Sequence, residues 1–124
     1  AALEAGHRPD GASLVPALRG GRMAERSLYW HYPHYSPQLG RPASALRRGD
    51  WKLIEHLETG TAELYNLRAD IGERKNLAEA EKERLALMRS ELREWRTRVK
   101  AQMPAANPDY DAAREPKPAD EPVA

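Results

Sequence analysis

Apolar and polar residues alternate with a period of two in the middle of the chain, and turn-forming residues divide the alternating runs. Gly49-Asp50 separates residues 44–47 from residues 51–57, and glycine with aspartate at such a break is typical of a tight hairpin turn. A second turn at residues 58–61 leads into a short run at residues 63–66. This pattern predicts three antiparallel strands joined by short turns.

An aromatic run upstream of these strands predicts a further strand. Tyr29, Trp30 and Tyr32 are residue types that favour strands. Pro33 has no backbone N–H to donate, so it ends this strand or places it at the edge of the sheet. We therefore expect three to four strands, with a loop at residues 36–42 joining the aromatic strand to the hairpin.

Beyond the strands, the period of the apolar pattern lengthens to that of an amphipathic helix. Between Glu79 and Met103, apolar residues recur at spacings of three and four: Leu85, Met88, Leu92, Trp95 and Val99. A sheet this small needs a cover, and alternation places Trp51 and Leu53 on one face of their strand. We expect the helix to pack its apolar stripe on that face.

Together these elements predict an α+β fold: a small antiparallel sheet of three to four strands packed against one long C-terminal helix, with a short N-terminal helix. Ser13 is placed as the N-cap of the short helix. The connection at residues 67–77 is rich in turn formers, and we expect it to be ordered, with Ile71 and Leu77 as its anchors.

The two ends of the sequence predict less. The segment AALEAGH at residues 1–7 reads as the last turn of a preceding helix, so we expect the sequence to begin inside a larger structure. Pro104 ends the long helix, and the segment beyond it is rich in proline and charge. Such a composition cannot build a core, so we expect disorder from about residue 114.

Composition argues against several classes of function. The formal net charge is +1 and the sequence pI is about 8.3, so no basic surface for nucleic acid is indicated. The sequence has no cysteine, which excludes a disulfide framework and a cysteine nucleophile within these residues. It also has no apolar run of about 18 residues, so we expect no membrane-spanning helix.

His31 and His34 are the only histidines close together in sequence. Residues three apart on a strand face opposite sides, and Pro33 prevents a helix that would bring the two rings together, so we do not expect a metal site. Two interpretations stay open. The pair lines a substrate pocket at the end of the aromatic strand, or both histidines serve only packing and the surface.

Other polar residues are weaker candidates for chemistry. Arg47, Arg48 and Lys52 crowd the hairpin turn, where they either bind an anion or are solvated or paired with Asp50 and Glu55. No serine is placed with a histidine and an acid as a triad, and there is no glycine-rich phosphate loop. On its own residues the chain is predicted to be an incomplete enzyme, and we assign it no catalytic residue.

Five segments carry a resemblance to a known family. They are DGASLVPALRG at residues 10–20, LYWHYPHYS at 28–36, RPASALRRGDWKLIEHLETG at 41–60, ELYNLRADIGERKNLA at 63–78 and AQMPAANPDYD at 101–111. In this order and spacing they resemble the C-terminal end of a formylglycine-dependent, arylsulfatase-like sulfatase of the alkaline-phosphatase-like superfamily. The most specific signal is ELYNL followed by D-x-G-E-x-x-N-L-A.

The resemblance implies an α/β catalytic domain upstream of this chain. In such enzymes formylglycine is made from the cysteine or serine of a C/S-x-P-x-R motif and acts beside a calcium ion held by Asp and Asn residues. Neither Ser13 nor Ser36 is followed by x-P-x-R, so we expect both groups outside these residues. Residues 1–26 then correspond to the end of the catalytic domain and a connector, residues 27–103 to the C-terminal subdomain, and residues 104–124 to a tail.

The resemblance further implies that the chain is part of a sulfuric ester hydrolase and is inactive alone. Its implied partners are the upstream catalytic domain and a sulfated sugar or aryl substrate, with no nucleic acid and no membrane. His31 and His34 are the residues expected to contact substrate, since imidazolium pairs with sulfate and neutral imidazole still donates one hydrogen bond. Periplasmic or secreted location is usual for the family. The alternative is an independent small α+β scaffold or protein-binding module without catalysis.

Overall fold

The computed structural model of the protein describes residues 11–37 and 40–111, which form one four-stranded antiparallel sheet and two helices. The elements in chain order are α1 (Val15–Leu18), β1 (Ser27–Tyr32), β2 (Ala43–Arg48), β3 (Trp51–His56), β4 (Ala62–Asn66) and α2 (Lys82–Arg98). Each strand pairs with its neighbour in sequence, in the order β1-β2-β3-β4. The predicted α+β fold is confirmed. The helical turn expected at residues 1–7 and the disorder expected from residue 114 lie outside the described residues.

Two glycines form the tight turns on either side of β3. Gly49, between β2 and β3, has a φ of 57°, and Gly60, between β3 and β4, has a φ of 70°. Glycine suits both positions because a Cβ makes this left-handed region of the backbone costly. The hairpin predicted at Gly49-Asp50 is confirmed.

One row of side chains across the sheet forms the centre of the core. Leu46 on β2 pairs with Leu53 on β3, Leu53 pairs with Leu64 on β4, and all three are fully buried. Met88 and Leu92 of α2 cover this row and are buried in the same cluster. The helix therefore lies on the face of the sheet that the alternation of β3 predicts.

The apolar stripe of α2 is buried in its middle and exposed at its end. Leu85 and Trp95 pack against the core and stay partly exposed, whereas Val99 is half-exposed. The prediction that Val99 belongs to the buried stripe is wrong: Val99 is the C-cap of α2, its N–H still donates to the carbonyl oxygen of Trp95 at 3.0 Å, and its side chain is 48% exposed. The next residue, Lys100, leaves the helix with a positive φ of 54°.

Side-chain oxygens order the connection between β4 and α2. Asp70 Oδ2 accepts hydrogen bonds from the backbone N–H groups of Arg74 and Lys75, both at 2.8 Å. Asn76 Oδ1 accepts the backbone N–H of Leu64 at 3.1 Å, which ties the connection to β4. The expected ordered connection is present, but Ile71 is 81% exposed, so the prediction that it acts as an anchor is wrong.

The short helix α1 is a single turn without buried residues. Its N-cap is Leu14, one residue later than predicted, and Ser13 Oγ accepts the N–H of Val15 at 3.3 Å. Leu14 and Leu18 are both largely exposed. In the described part of the chain, neither helix is long and apolar enough to cross a membrane.

A buried ion cluster holds α2 on the sheet beside the leucine row. Glu55 on β3 is only 7% exposed; its Oε1 accepts the Nε–H of Arg89 at 2.9 Å and its Oε2 accepts an Nη2–H of Arg96 at 2.6 Å. Arg96 also donates to Ser44 Oγ at 3.3 Å, and Arg89 donates to the carbonyl oxygen of Gly60 at 2.9 Å. Each buried charge therefore has a partner, as burial requires.

The environment of Glu55 favours its charged form. Burial acts to raise the pKa of this carboxyl, but the hydrogen bonds and positive charges of Arg89 and Arg96 outweigh it. The pKa of Glu55 is therefore lower than its ordinary value. Because the folded-state pKa is lowered, the charged carboxylate of Glu55 stabilises the fold fully above the ordinary carboxyl pKa. This stabilisation is lost as pH falls through the folded-state pKa.

Removing one buried leucine tests the contribution of the core. We expect Leu92→Ala to lower the free energy of unfolding by about 2–5 kcal/mol, because it removes buried methyl groups and leaves a cavity above the leucine row. The matched control is Leu87→Ala on the same helix, where the side chain is 73% exposed and we expect a change within about 0.5 kcal/mol. Urea unfolding followed by circular dichroism measures both. Equal losses would contradict the assignment of Leu92 to the core.

Removing the buried negative charge tests the ion cluster. We expect Glu55→Gln to lower the free energy of unfolding by about 3 kcal/mol at neutral pH, the lower end for a broken buried pair, because Arg89 is a third exposed. The difference from the unsubstituted protein should shrink as pH falls through the folded-state pKa of Glu55. Glu94→Gln, at an exposed position on α2, is the control. A difference that stays constant down to the pH at which the unsubstituted protein unfolds would contradict the assignment.

Candidate functional site

Alternation along β1 directs one set of its side chains towards α2. Ser27 Oγ and Tyr29 Oη both donate to Glu91 Oε1 on the helix, the latter at 3.0 Å. The ring of Tyr29 also stacks on Trp95, with 4.8 Å between ring centroids and 4° between ring planes. His31 is two positions further along and therefore has its side chain on this same, helix-covered face.

Both ring nitrogens of His31 are hydrogen-bonded within the chain. Nε2 lies 2.8 Å from the carbonyl oxygen of Gln102, which can only accept, so Nε2 carries the proton and donates. In the neutral ring Nδ1 is then the acceptor, and Ser44 Oγ, 2.8 Å away, donates to it. Ser44 is fully buried and also accepts from Arg96. His31 thus joins β1 and the buried ion cluster to the segment that follows α2.

His34 lies beyond the end of β1 and is exposed. Its ring meets the ring of Tyr32 edge to face, with 5.6 Å between centroids and 86° between planes. Tyr32 projects from the face of the sheet opposite to His31. The fold therefore separates the two histidines that the sequence analysis pairs. Within residues 11–37 and 40–111, no three His, Asp or Glu side chains come together as a metal site would require.

The carboxylate of Glu91 is a second polar centre under α2 that sequence analysis did not identify. In addition to Ser27 and Tyr29, Arg48 donates an Nη1–H to Glu91 Oε2 at 3.1 Å. Burial acts to raise the pKa of Glu91, but these hydrogen bonds and the charge of Arg48 prevail, so its pKa is lowered. A shallow cavity of about 320 Å³ opens here, lined by Glu25, Arg26, Ser27, Arg48 and Glu91.

The basic residues at the hairpin find partners inside the chain. Arg48 pairs with Glu91, Lys52 Nζ lies 2.7 Å from Glu73 Oε1, and Arg47 Nε–H donates to the carbonyl oxygen of Gly49 at 3.3 Å. The structure therefore favours pairing for Arg48 and Lys52, but the partners are Glu91 and Glu73, and the predicted partners Asp50 and Glu55 are wrong. Neither contact could be read from the sequence, because each joins side chains more than twenty residues apart.

A hydrogen-bonded group of three side chains occupies the opposite face near β4. Glu63 accepts from Tyr65 Oη at 2.5 Å and lies 2.9 Å from His56 Nε2. These two hydrogen bonds lower the pKa of Glu63, and the bond to the Glu63 carboxylate raises the pKa of Tyr65 to about 12. His56 and Tyr65 both bind Glu63, so we assign no acid or base for chemistry to this group.

A groove of about 550 Å³ lies at the end of the sheet where β1 and β3 finish. The loop after β1, the end of β3 and the segment after α2 form its walls: Tyr35, Pro42, Leu57, Glu58, Pro104, Ala105, Ala106, Asn107 and Tyr110. Because His31 binds the carbonyl oxygen of Gln102, it fixes the start of the segment that forms one of these walls. This groove and the exposed His34 make this end of the sheet the candidate functional site.

Two relatives match the chain over most of its length. It is 37% identical over 99 residues to a protein named sulfatase from Formosa agariphila, covering 69% of this chain and 18% of that protein. It is 34% identical over 107 residues to a Delta 4,5-hexuronate-2-O-sulfatase from Bacteroides thetaiotaomicron, covering 82% of this chain and 22% of that protein. The chain therefore spans about a fifth of the length of these relatives. No protein-family model matches it.

Solved structures agree with this similarity. A 2-O GAG sulfatase superimposes with a TM-score of 0.60 at 32% identity, covering 81% of this chain and 22% of that one. A protein solved in complex with its substrate D-glucosamine-2-N,6-O-disulfate gives a TM-score of 0.58 at 29% identity, covering 76% of this chain and 21% of that one. By sequence and by fold, the chain corresponds to a C-terminal portion of a sulfatase.

Proposed function

We propose that this chain is the C-terminal subdomain of an enzyme that hydrolyses sulfate esters, and that it shapes one side of the substrate pocket. The observation that carries the proposal is agreement at two levels: more than 30% identity to named sulfatases over most of the chain, and the same fold. In those proteins this portion accompanies a much longer polypeptide. The reaction itself is assigned to that longer part.

The residues of this chain do not fit the formylglycine and calcium that sulfatases generally use. The sequence has no cysteine, and neither Ser13 nor Ser36 stands in an S-x-P-x-R motif. The described residues also bring together no set of carboxylates or histidines with metal-binding geometry. We therefore assign no catalytic step to this chain, and we propose that an upstream catalytic domain supplies both groups.

The proposed division of the chain follows from this assignment. Residues 1–26 would end the catalytic domain and connect it to the subdomain of residues 27–103, and residues 104–124 would form the tail. The exposure of Leu14 and Leu18 on α1 supports a connector that packs against a larger body. The named relatives act on sulfated saccharides or bind one as substrate, so a sulfated saccharide is the substrate class that we propose.

The proposed substrate contacts are His31 and His34, and their settings suggest different contributions. His34 is exposed at the candidate site, where a protonated imidazole would attract a sulfate group and a neutral one would donate a hydrogen bond. His31 would have to exchange its bond to the Gln102 carbonyl oxygen for one to the substrate. We therefore propose His34 as the more direct contact and His31 as a contact formed with movement of the segment after α2.

Expression of the chain with and without its upstream part tests the function. We expect the longer polypeptide to hydrolyse a sulfated saccharide, and residues 1–124 alone to show no turnover of the same substrate. Sulfate release measures both. Mass spectrometry of the longer polypeptide should also find formylglycine at a C/S-x-P-x-R motif.

The competing function, an independent binding module, makes opposite predictions. A stable monomer of residues 1–124 that melts cooperatively, together with a longer polypeptide that has no formylglycine and no turnover, would favour the module. Measurable sulfate release by the isolated chain would contradict the proposed division between subdomain and catalytic domain.

Substitution of the two histidines tests the substrate contacts. In the longer polypeptide we expect His34→Ala to raise KM by about tenfold or more, since the loss of one charge-assisted hydrogen bond costs about 1.5–3 kcal/mol. We expect His31→Ala to lower kcat/KM and also to increase amide hydrogen exchange in the segment after α2. Ser90→Ala, at an exposed position on α2, is the control. An unchanged kcat/KM in both histidine variants would contradict the assignment.

A further inference from the structure

The face of the sheet opposite α2 is apolar on its β1 and β2 side. Trp30 and Tyr32 on β1 project from this face and are 51% and 52% exposed. Ala45 on β2 lies between Trp30 and Ile54, since it pairs with Trp30 on one side and with Ile54 on β3 on the other. The long helix α2 does not cover these side chains, because it lies on the other face.

These side chains form a trough, which we call the β2 trough. Its floor is Ala43 and Ala45, one wall is Trp30 and Tyr32, and the other wall begins at Ile54. Neighbouring strands lie about 4.8 Å apart, so the two walls stand about 10 Å from each other. The side chains of the walls take up part of this distance. The space above Ala43 and Ala45 therefore admits one row of side chains from an α-helix that lies along β2, and not the whole helix, which is about 10–12 Å across.

The polar part of the same face closes on itself and leaves the trough as the open surface. Lys52 pairs with Glu73, and Glu63 binds both His56 and Tyr65. An apolar centre beside a polar margin whose charges are already paired is the composition of a buried protein interface. Arg47 is exposed at one end of the trough and adds a positive charge there.

We infer that the β2 trough holds an apolar-striped α-helix from the upstream catalytic domain of the same polypeptide, so that the sheet lies between two helices. This inference rests on the proposed function and names the surface that joins the two parts. The relatives support the source of the helix, because this chain spans only 18% and 22% of their lengths. The exposed Leu14 and Leu18, just before β1, indicate further apolar contact on the same N-terminal side.

Hydroxyl-radical footprinting tests the inference on residues 1–124 and on the longer polypeptide. We expect the oxidation rate of Trp30 to fall about fivefold or more in the longer polypeptide, because the docked helix excludes water from the half-exposed ring. Leu87 on the outward side of α2 should react equally in both, and Trp95, which is partly exposed and stacked on Tyr29, should keep the same partial protection in both as a sign of folding. If the isolated chain loses the protection of Trp95, native and urea-unfolded states of the longer polypeptide are compared instead.

Paired variants give a second readout that does not depend on tryptophan chemistry. Ala45→Arg places a charged side chain in the β2 trough, and Ala86→Arg places the same side chain on the exposed side of α2. In the longer polypeptide we expect only Ala45→Arg to restore the oxidation of Trp30 and to lower Tm. In residues 1–124 alone we expect neither variant to lower Tm.

The outcomes separate the inference from the proposed function. Equal oxidation of Trp30 in the two proteins would overturn the inference, even if sulfate release confirmed the function. Protection of Trp30 in the isolated chain that rises with concentration, together with self-association, would identify a second copy as the occupant and would also overturn it. Protection in a longer polypeptide that releases no sulfate would support the docked helix and count against the function.

Discussion

The fold depends on the contact between α2 and one row of leucines. Leu46, Leu53 and Leu64 stand side by side across three strands, and Met88 and Leu92 cover them. A buried leucine contributes about 1.5–3 kcal/mol relative to an exposed one, and a small sheet is not stable in water without such a cover. In the described residues this cluster is the core, so the polar contacts between α2 and the sheet depend on α2 staying on this face.

Polar side chains on either side of the leucine row determine where α2 lies along it. On one side, His31, Ser44 and Glu55 form a cross-strand row that binds Arg96 and the segment after the helix. On the other side, Ser27 and Arg48 bind Glu91. Packing between leucines tolerates small shifts of a helix. A hydrogen bond does not, because it is lost when the donor–acceptor distance increases by a fraction of its length. Buried ion pairs add little net stability to a fold. We therefore infer that these contacts fix the position of α2 on the sheet and contribute little to the strength of its packing.

The features that could be predicted from sequence are those whose cause is local. Alternation gave the strands, glycine gave the hairpin at Gly49-Asp50, and the spacing of Leu85, Met88 and Leu92 gave the helix and its buried face. The end of α2 was predicted too late because Pro104 is the stop signal in the sequence, whereas α2 ends at Arg98 and Lys100 has a positive φ of 54°. Periodicity describes which side chains are apolar, and it does not report where hydrogen bonding of the backbone changes.

The polar contacts of the candidate site could not be predicted, because their partners are distant in sequence. Glu55 binds arginines 34 and 41 residues away, and His31 binds a carbonyl oxygen 71 residues away. A weak signal did exist for Glu55: alternation places it on the same face as Trp51 and Leu53, so a buried carboxylate with a basic partner on the helix could have been expected.

The fold also explains why two histidines three residues apart have different environments. His31 lies within β1, where alternation turns it towards α2 and both its nitrogens are used in holding the structure together. His34 follows Pro33, which stops the strand. In the described residues, the one aromatic ring that the His34 ring contacts is that of the exposed Tyr32. The same residue type serves the interior in one position and is available to a ligand in the other. Position relative to the end of β1, and not the H-x-x-H spacing, decides which histidine is held by hydrogen bonds within the chain and which is exposed.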